Sequence, residues 1–153
     1  MFDILNFNNG SESLSCSGQP SESQLQKIAD ENFSVIINLG LNDQDYSLPN
    51  EKFSVEKLNI KYFHLPVLFD NPTIQDLTLF FEKMKENENE KILVHCAANY
   101  RASVFVALHL FTVKKIQENE IENFITEVWM PDHKWQAFID EAIEYIKSNF
   151  PYF

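Results

Sequence analysis

The segment VHCAANYRAS, residues 94–103, concentrates the residue types with the most chemistry. Cys96 stands one residue past the short apolar run KILVH at 91–95, Arg101 follows after four residues, and the apolar segment ASVFVALHLFTV begins directly behind it at 102. The thiolate is the nucleophile, and a cysteine at a helix N-terminus meets partial positive charge and unpaired N–H donors that lower its pKa from about 8.5 into roughly the 3.5–7.5 range. The N–H groups of Ala97, Ala98, Asn99, Tyr100 and Arg101 can hold a tetrahedral anion, to which Arg101 adds a planar, bidentate fork. One loop would then supply nucleophile, anion cradle and the charge that stabilises a transition state. His95 would brace the loop and tune the thiolate, or be a satisfied strand-end histidine. Ser103 would hydrogen-bond the thiolate or occupy the first helical turn, and Tyr100 would face solvent or the pocket mouth.

The surrounding elements must position this loop. FSVIINL at 33–39, YFHLPV at 62–67 and KILVH at 91–95 are short β-branched or aromatic runs of the kind buried in a parallel sheet. Ser21 with Gln24 forms a capping-box signature for a helix carrying Leu25, Ile28 and Ala29 on one face. Thr73, after Pro72, starts a second helix, with Ile74, Leu77, Phe80, Phe81 and Met84 at helical spacing and the polar ENENE at 86–90 as its end. The segment at 102–113 is apolar nearly all round, which predicts a central, enclosed helix. Ile121, Phe124 and Val128 line a further helix, and Trp135, Phe138, Ile139, Ala142, Ile143 and Ile146 another, with Pro131 between them. This pattern predicts an α/β fold, a mostly parallel central sheet of four or five strands flanked by helices, in one domain spanning 1–153. In such sheets the binding crevice lies beyond the carboxyl ends of the strands, around residues 39–42, 67–71 and 95–101.

Composition limits the partners. Lys and Arg total 12 against 23 Asp plus Glu, a formal charge of −11, which disfavours nucleic acid because phosphate backbones are held by basic surface. The start, MFDILNFNNG, lacks a secretory pattern, and the longest apolar segment falls short of the roughly 20 residues that span a bilayer, so a cytoplasmic protein without a membrane role is expected. Cys16 and Cys96 lack metal-ligand spacing and are expected to be thiols in that compartment. His64 and His109 fall in a strand and an apolar helix, while His133 is expected to be exposed. No metal or other cofactor is expected. Only three glycines occur, none after Gly40, so a phosphate cradle must be built without them.

The chain resembles the cysteine-based protein tyrosine and dual-specificity phosphatases, whose signature is a strand ending in His-Cys, five loop residues, then Arg and Ser or Thr opening a buried helix. His95 and Cys96 match the first half. Segments 17–39, 62–67, 71–73, 94–99 and 128–139 look like a bacterial branch of phosphatase-like proteins, so the resemblance runs through most of the chain. It implies a phosphomonoesterase acting through a cysteinyl-phosphate on a phosphorylated protein or small phosphoester, with Arg101 holding phosphate. It also implies a general acid on a loop ahead of the cysteine, for which Asp70 is the natural candidate, Asp132 the reserve, and Asp43 and Asp45 weaker ones. Asp70 and Asn71 could equally cap a turn before Pro72.

Four residues, not five, separate Cys96 from Arg101. Either the loop has lost a residue and Arg101 serves a tighter cradle, or the loop keeps its length, Ala102 takes the arginine position, and Ser103 keeps its place seven after Cys96. Under both, Asn99 stands where many such loops have glycine, and asparagine tolerates left-handed backbone. The short interval is also similar to that of rhodanese-like sulfurtransferases, where the cysteine carries a persulfide. A non-catalytic phosphate-binding protein is a further alternative, as is Cys96 partnering Cys16 under oxidation.

Overall fold

A computed structural model describes residues 3–150. Five four-residue strands form one sheet in the order β1-β2-β5-β3-β4: β1 Asn8–Ser11, β2 Leu14–Ser17, β3 Val35–Asn38, β4 Lys61–His64 and β5 Ile92–His95. All neighbours run parallel except β1, which turns back antiparallel on β2 at the edge. Every residue of β2, β3 and β5 is buried, as their interior positions require, whereas β1 and β4 are only partly covered. The α/β class and the strand count agree with the sequence expectation. The β1–β2 hairpin was not foreseen, because NNGS and LSCS lack the β-branched or aromatic character that marks a strand.

Among the described residues six helices flank the sheet: α1 Glu22–Asp30, α2 Glu51–Glu56, α3 Ile74–Glu86, α4 Tyr100–Thr112, α5 Glu118–Thr126 and α6 His133–Asn149. Both foreseen N-termini hold. Ser21 and Gln24 form a reciprocal capping box, Thr73 and Asp76 another, and α3 ends at the polar run with Asn87 as its C-cap. Two boundaries differ. Val128 lies past the end of α5, and α4 starts at Tyr100, two residues earlier than its apolar run, so Arg101 belongs to its first turn.

Side-chain alternation divides the core between the sheet's two faces. On one face Cys16, Val35, Ile37, Val94 and Cys96 pack with α3, α4 and α6; on the other Ile36 and Leu93 pack with Leu25, Ile28 and Val55 of α1 and α2. Helix α4 buries Arg101 through Leu108 without a break, as its sequence predicts. Cys96 and His95, adjacent in the chain, therefore point to opposite faces.

Candidate active site

Cys96 is 1% exposed and follows the last residue of β5 at the open end of the parallel strands. The peptides after it are held by their carbonyls. His95 Nδ1 lies 3.3 Å from the Cys96 carbonyl oxygen, Gln19 N–H donates to the Ala97 carbonyl at 3.0 Å, and Asn6 Nδ2 donates to the Ala98 carbonyl at 2.9 Å. In a trans peptide the C=O and the following N–H point in opposite directions. Each carbonyl held in this way fixes the N–H that follows it, on Ala97, Ala98 and Asn99, in the direction opposite to its own partner.

Asn99 completes the turn in left-handed backbone, φ 70° and ψ 9°, the conformation foreseen for it. It is the N-cap residue of α4 but makes no side-chain cap; its Nδ2 donates instead to the Asn6 carbonyl at 2.7 Å. Ser103 N–H makes the first intrahelical bond, to the Asn99 carbonyl at 2.9 Å. The N–H groups of Tyr100, Arg101 and Ala102 precede it and have no intrahelical acceptor. Free N–H groups at a helix N-terminus are donors of the kind that hold an anion.

Arg101 is 5% exposed. Its Nη1 donates to the Val67 carbonyl at 2.8 Å, Nη2 lies 3.5 Å from the Tyr46 hydroxyl, and the guanidinium sits 5.9 Å from the ring centroids of both Tyr46 and Phe69. Its buried Nε has no partner among the described residues. Arg101 therefore joins the candidate loop to the two neighbouring strand-end segments, 39–47 and 65–70. These are segments that follow β3, β4 and β5, where the sequence reading expects a binding crevice.

Asp70 lies on an exposed turn closed by Asn71 N–H on the Leu68 carbonyl at 3.1 Å. Helix α6 anchors that turn: Trp135 Nε1 donates to the Phe69 carbonyl at 2.8 Å, and Lys134 Nζ to the Asp70 carbonyl. Asp132 has another task, accepting from Trp135 N–H at 2.8 Å as the N-cap of α6, and Asp43 and Asp45 are exposed. Ser103 Oγ donates back to the Tyr100 carbonyl at 3.0 Å, the first-turn alternative, and not to Cys96. Tyr100 is 37% exposed and stacks on Trp129 at 4.5 Å with ring planes 2° apart. With Phe69, 6.4 Å from Tyr100 and 5.7 Å from Trp129, it forms an aromatic rim.

The sequence reading missed Glu51. The carboxylate reaches from the first turn of α2 to His95, Oε2 to Nε2 at 2.6 Å, and its Oε1 accepts from Gln19 Nε2 at 2.7 Å. Both members are buried, Glu51 at 5% and His95 at 0% exposed. Burial pushes the Glu51 carboxyl up, but His95 and the hydrogen bonds from His95, Gln19 and Tyr62 outweigh it and hold the group below its usual range. Nothing local marks Glu51, since α2 is six residues long and carries no clear apolar period.

Cys16 is a free, fully buried thiol on β2, paired with Val94 and hence on the Cys96 face of the sheet; burial pushes it up to about 12. His64 lies half-buried on β4 with Nε2 at 2.7 Å from the Gly40 carbonyl, and His133 is exposed. Among the described residues no group of three His, Cys, Asp or Glu could hold a metal ion, and no helix is long and apolar enough to cross a membrane.

These features agree with the comparisons. The family model for a DSP-PTPase phosphatase fused to NAD+ kinase matches residues 6–141. The DUF442 protein of Shewanella putrefaciens CN-32 is 28% identical, with a TM-score of 0.86 over 97% of this chain and 95% of that one. Two more distant structures share the fold. Tk-PTP in its active form is 21% identical (TM-score 0.70, 97% of this chain and 99% of that one), and the core catalytic domain of the PP-IP phosphatase SIW14 from S. cerevisiae is 19% identical (TM-score 0.73, 95% and 93%). No curated protein matches the chain. Strand-end cysteine, open helix terminus, buried arginine and family match together place the chain in the family of DSP-PTPase phosphatases fused to NAD+ kinase, within the cysteine-based protein tyrosine and dual-specificity phosphatase superfamily.

Proposed function

We propose that the protein is a phosphomonoester hydrolase that works through a cysteinyl-phosphate. The observation that carries this reading is the placement of Cys96 between the end of β5 and a helix N-terminus without a side-chain cap, with Arg101 in the first turn of that helix. In the first step Cys96 Sγ attacks phosphorus; the S–P bond forms, the P–O bond to the leaving group breaks, and Asp70 delivers its proton to the departing oxygen. The N–H groups of residues 97–101 and the guanidinium of Arg101 hold the equatorial oxygens as charge builds on them. In the second step the Asp70 carboxylate takes a proton from water, whose oxygen bonds to phosphorus as the S–P bond breaks and the thiolate returns. With a formal charge of −11 the chain attracts phosphate only locally, through this loop and Arg101.

The reading is tested with Cys96→Ser and an aryl phosphate. Turnover is lost while the circular-dichroism spectrum is unchanged, and acid quenching of the wild-type enzyme during turnover traps phosphate on Cys96. Unchanged turnover in Cys96→Ser refutes the reading. The four-residue interval between Cys96 and Arg101 supports a second one, sulfur transfer through a Cys96 persulfide. Cyanide-dependent consumption of thiosulfate with no phosphoester turnover selects it. Binding of a phosphate analogue with neither reaction leaves a phosphate-binding protein.

A further inference from the structure

His95 lies between two oxygens. Nε2 is 2.6 Å from Glu51 Oε2, and Nδ1 is 3.3 Å from the carbonyl oxygen of Cys96. A carbonyl oxygen only accepts, so Nδ1 must carry a proton to avoid setting lone pair against lone pair. The short Nε2 contact holds a second proton, and it belongs to the imidazole when Glu51 is ionised. Gln19 favours that state by donating Nε2–H to Glu51 Oε1, while its backbone N–H holds the Ala97 carbonyl. This geometry fits an imidazolium facing a carboxylate, buried on the α1/α2 face of the sheet directly behind the loop.

We propose that Glu51 is a positioning residue for Cys96: it holds His95 as the imidazolium, and this cation keeps the Cys96 sulfur a thiolate while fixing the Cys96 and Ala97 peptides. The inference rests on Cys96 being the nucleophile of the proposed reaction. A buried ion pair is costly to break on one side, because the remaining charge loses its partner, so removing the carboxylate forces His95 to give up a proton. The Cys96 carbonyl then loses its charged donor, and the loop loses the positive charge behind it. The other titratable groups around the pair are Tyr62 on β4, whose hydroxyl burial and Glu51 push up; His64, Asp43 and Lys52, which line the adjacent groove with Glu51; and, across the sheet, Cys16.

The test reads the thiolate itself, not turnover, so it separates this inference from the phosphatase reading. Absorbance at 240 nm is titrated in the wild type and in Glu51→Gln, with Cys96→Ser subtracted to isolate the one sulfur. Glu51→Gln is expected to raise the Cys96 midpoint by at least one pH unit, a tenfold loss of thiolate below the midpoint, and Glu51→Asp to recover part of it. An unchanged midpoint in folded Glu51→Gln overturns the proposal, even if phosphatase activity is present. A shifted midpoint with no phosphoester turnover upholds it and refutes the phosphatase reading alone. Should Glu51→Gln fail to fold, nitrogen-15 spectra of the wild-type His95 ring decide. Two protonated nitrogens at pH 7 are expected, and one protonated nitrogen overturns the proposal.

Discussion

Arg101 donates from Nη1 to the carbonyl oxygen of Val67 at 2.8 Å, which ties the first turn of α4 to the segment that leads into Asp70. The bond links the candidate anion ligand to the strand-end segment that carries the candidate acid, although 34 positions separate the two partners. Val67 is 1% exposed, so its carbonyl has no ready access to water if the bond is lost.

Arg101→Ala should therefore weaken both fold and function. The orphaned carbonyl costs about 1–3 kcal/mol, read as a lower urea midpoint. Arg101→Lys keeps the charge but loses the planar fork, and turnover of an aryl phosphate should fall by about 10²–10³-fold. Vanadate affinity, measured by inhibition or calorimetry, should fall in parallel.

Asp70 presents an exposed carboxyl on a turn anchored only through its backbone. Asp70→Asn should leave stability unchanged and slow turnover by about 10²–10⁴-fold for alkyl phosphates, which need a protonated leaving oxygen. Aryl esters with acidic leaving groups should lose far less. Equal losses for both classes would remove Asp70 from the acid role.

Gly18 lies where the end of β2 meets the candidate loop, bridged to Ala98. A Cβ there would stand 2.7 Å from the Ala97 carbonyl oxygen and 3.2 Å from the Ala98 Cα, both backbone atoms with little room to yield. Gly18→Ala should push the loop away from β2. The variant is expected to keep its far-ultraviolet spectrum and lose at least tenfold in kcat.

Asn99 takes its left-handed backbone where glycine would be unstrained. Asn99→Val should cost about 1–2 kcal/mol from backbone strain, measured by urea unfolding. Asn99→Gly should cost less, because it loses the side-chain contacts to the Asn6 carbonyl and Cys16 but carries no backbone strain.

His109 is packed between Phe80 and Phe81, with ring centroids at 6.3 and 6.2 Å, and its buried Nδ1 has no partner among the described residues. Burial pushes its pKa down from 6.5 to about 4. As pH falls through 6.5 the unfolded chain takes up a proton that the folded one refuses, so stability present above that pH is lost as pH approaches 4. The loss is about 3 kcal/mol. His109→Leu should flatten this part of the curve, measured by urea unfolding at pH 7.5 and pH 4.5.

What the sequence alone determined is local. Cys96 past an apolar strand, Asn99 able to turn left-handed, the capping pairs of α1 and α3 and the all-apolar α4 are each written in a few consecutive residues, because caps, turns and strand burial depend on near neighbours. The first turn of α4 was legible only in part, since its apolar run begins after Arg101 and hides the arginine within the helix. Tertiary structure decided the rest. Glu51 finds His95, Gln19 holds both Glu51 and Ala97, Asn6 holds Ala98, and Arg101 finds Val67, all across sequence separations that carry no periodic signal. Apart from Asn6, which precedes the antiparallel β1, these pairings exist because parallel strands deliver their carboxyl ends, and the loops that follow, to one edge of the sheet, where buried polar groups must satisfy one another.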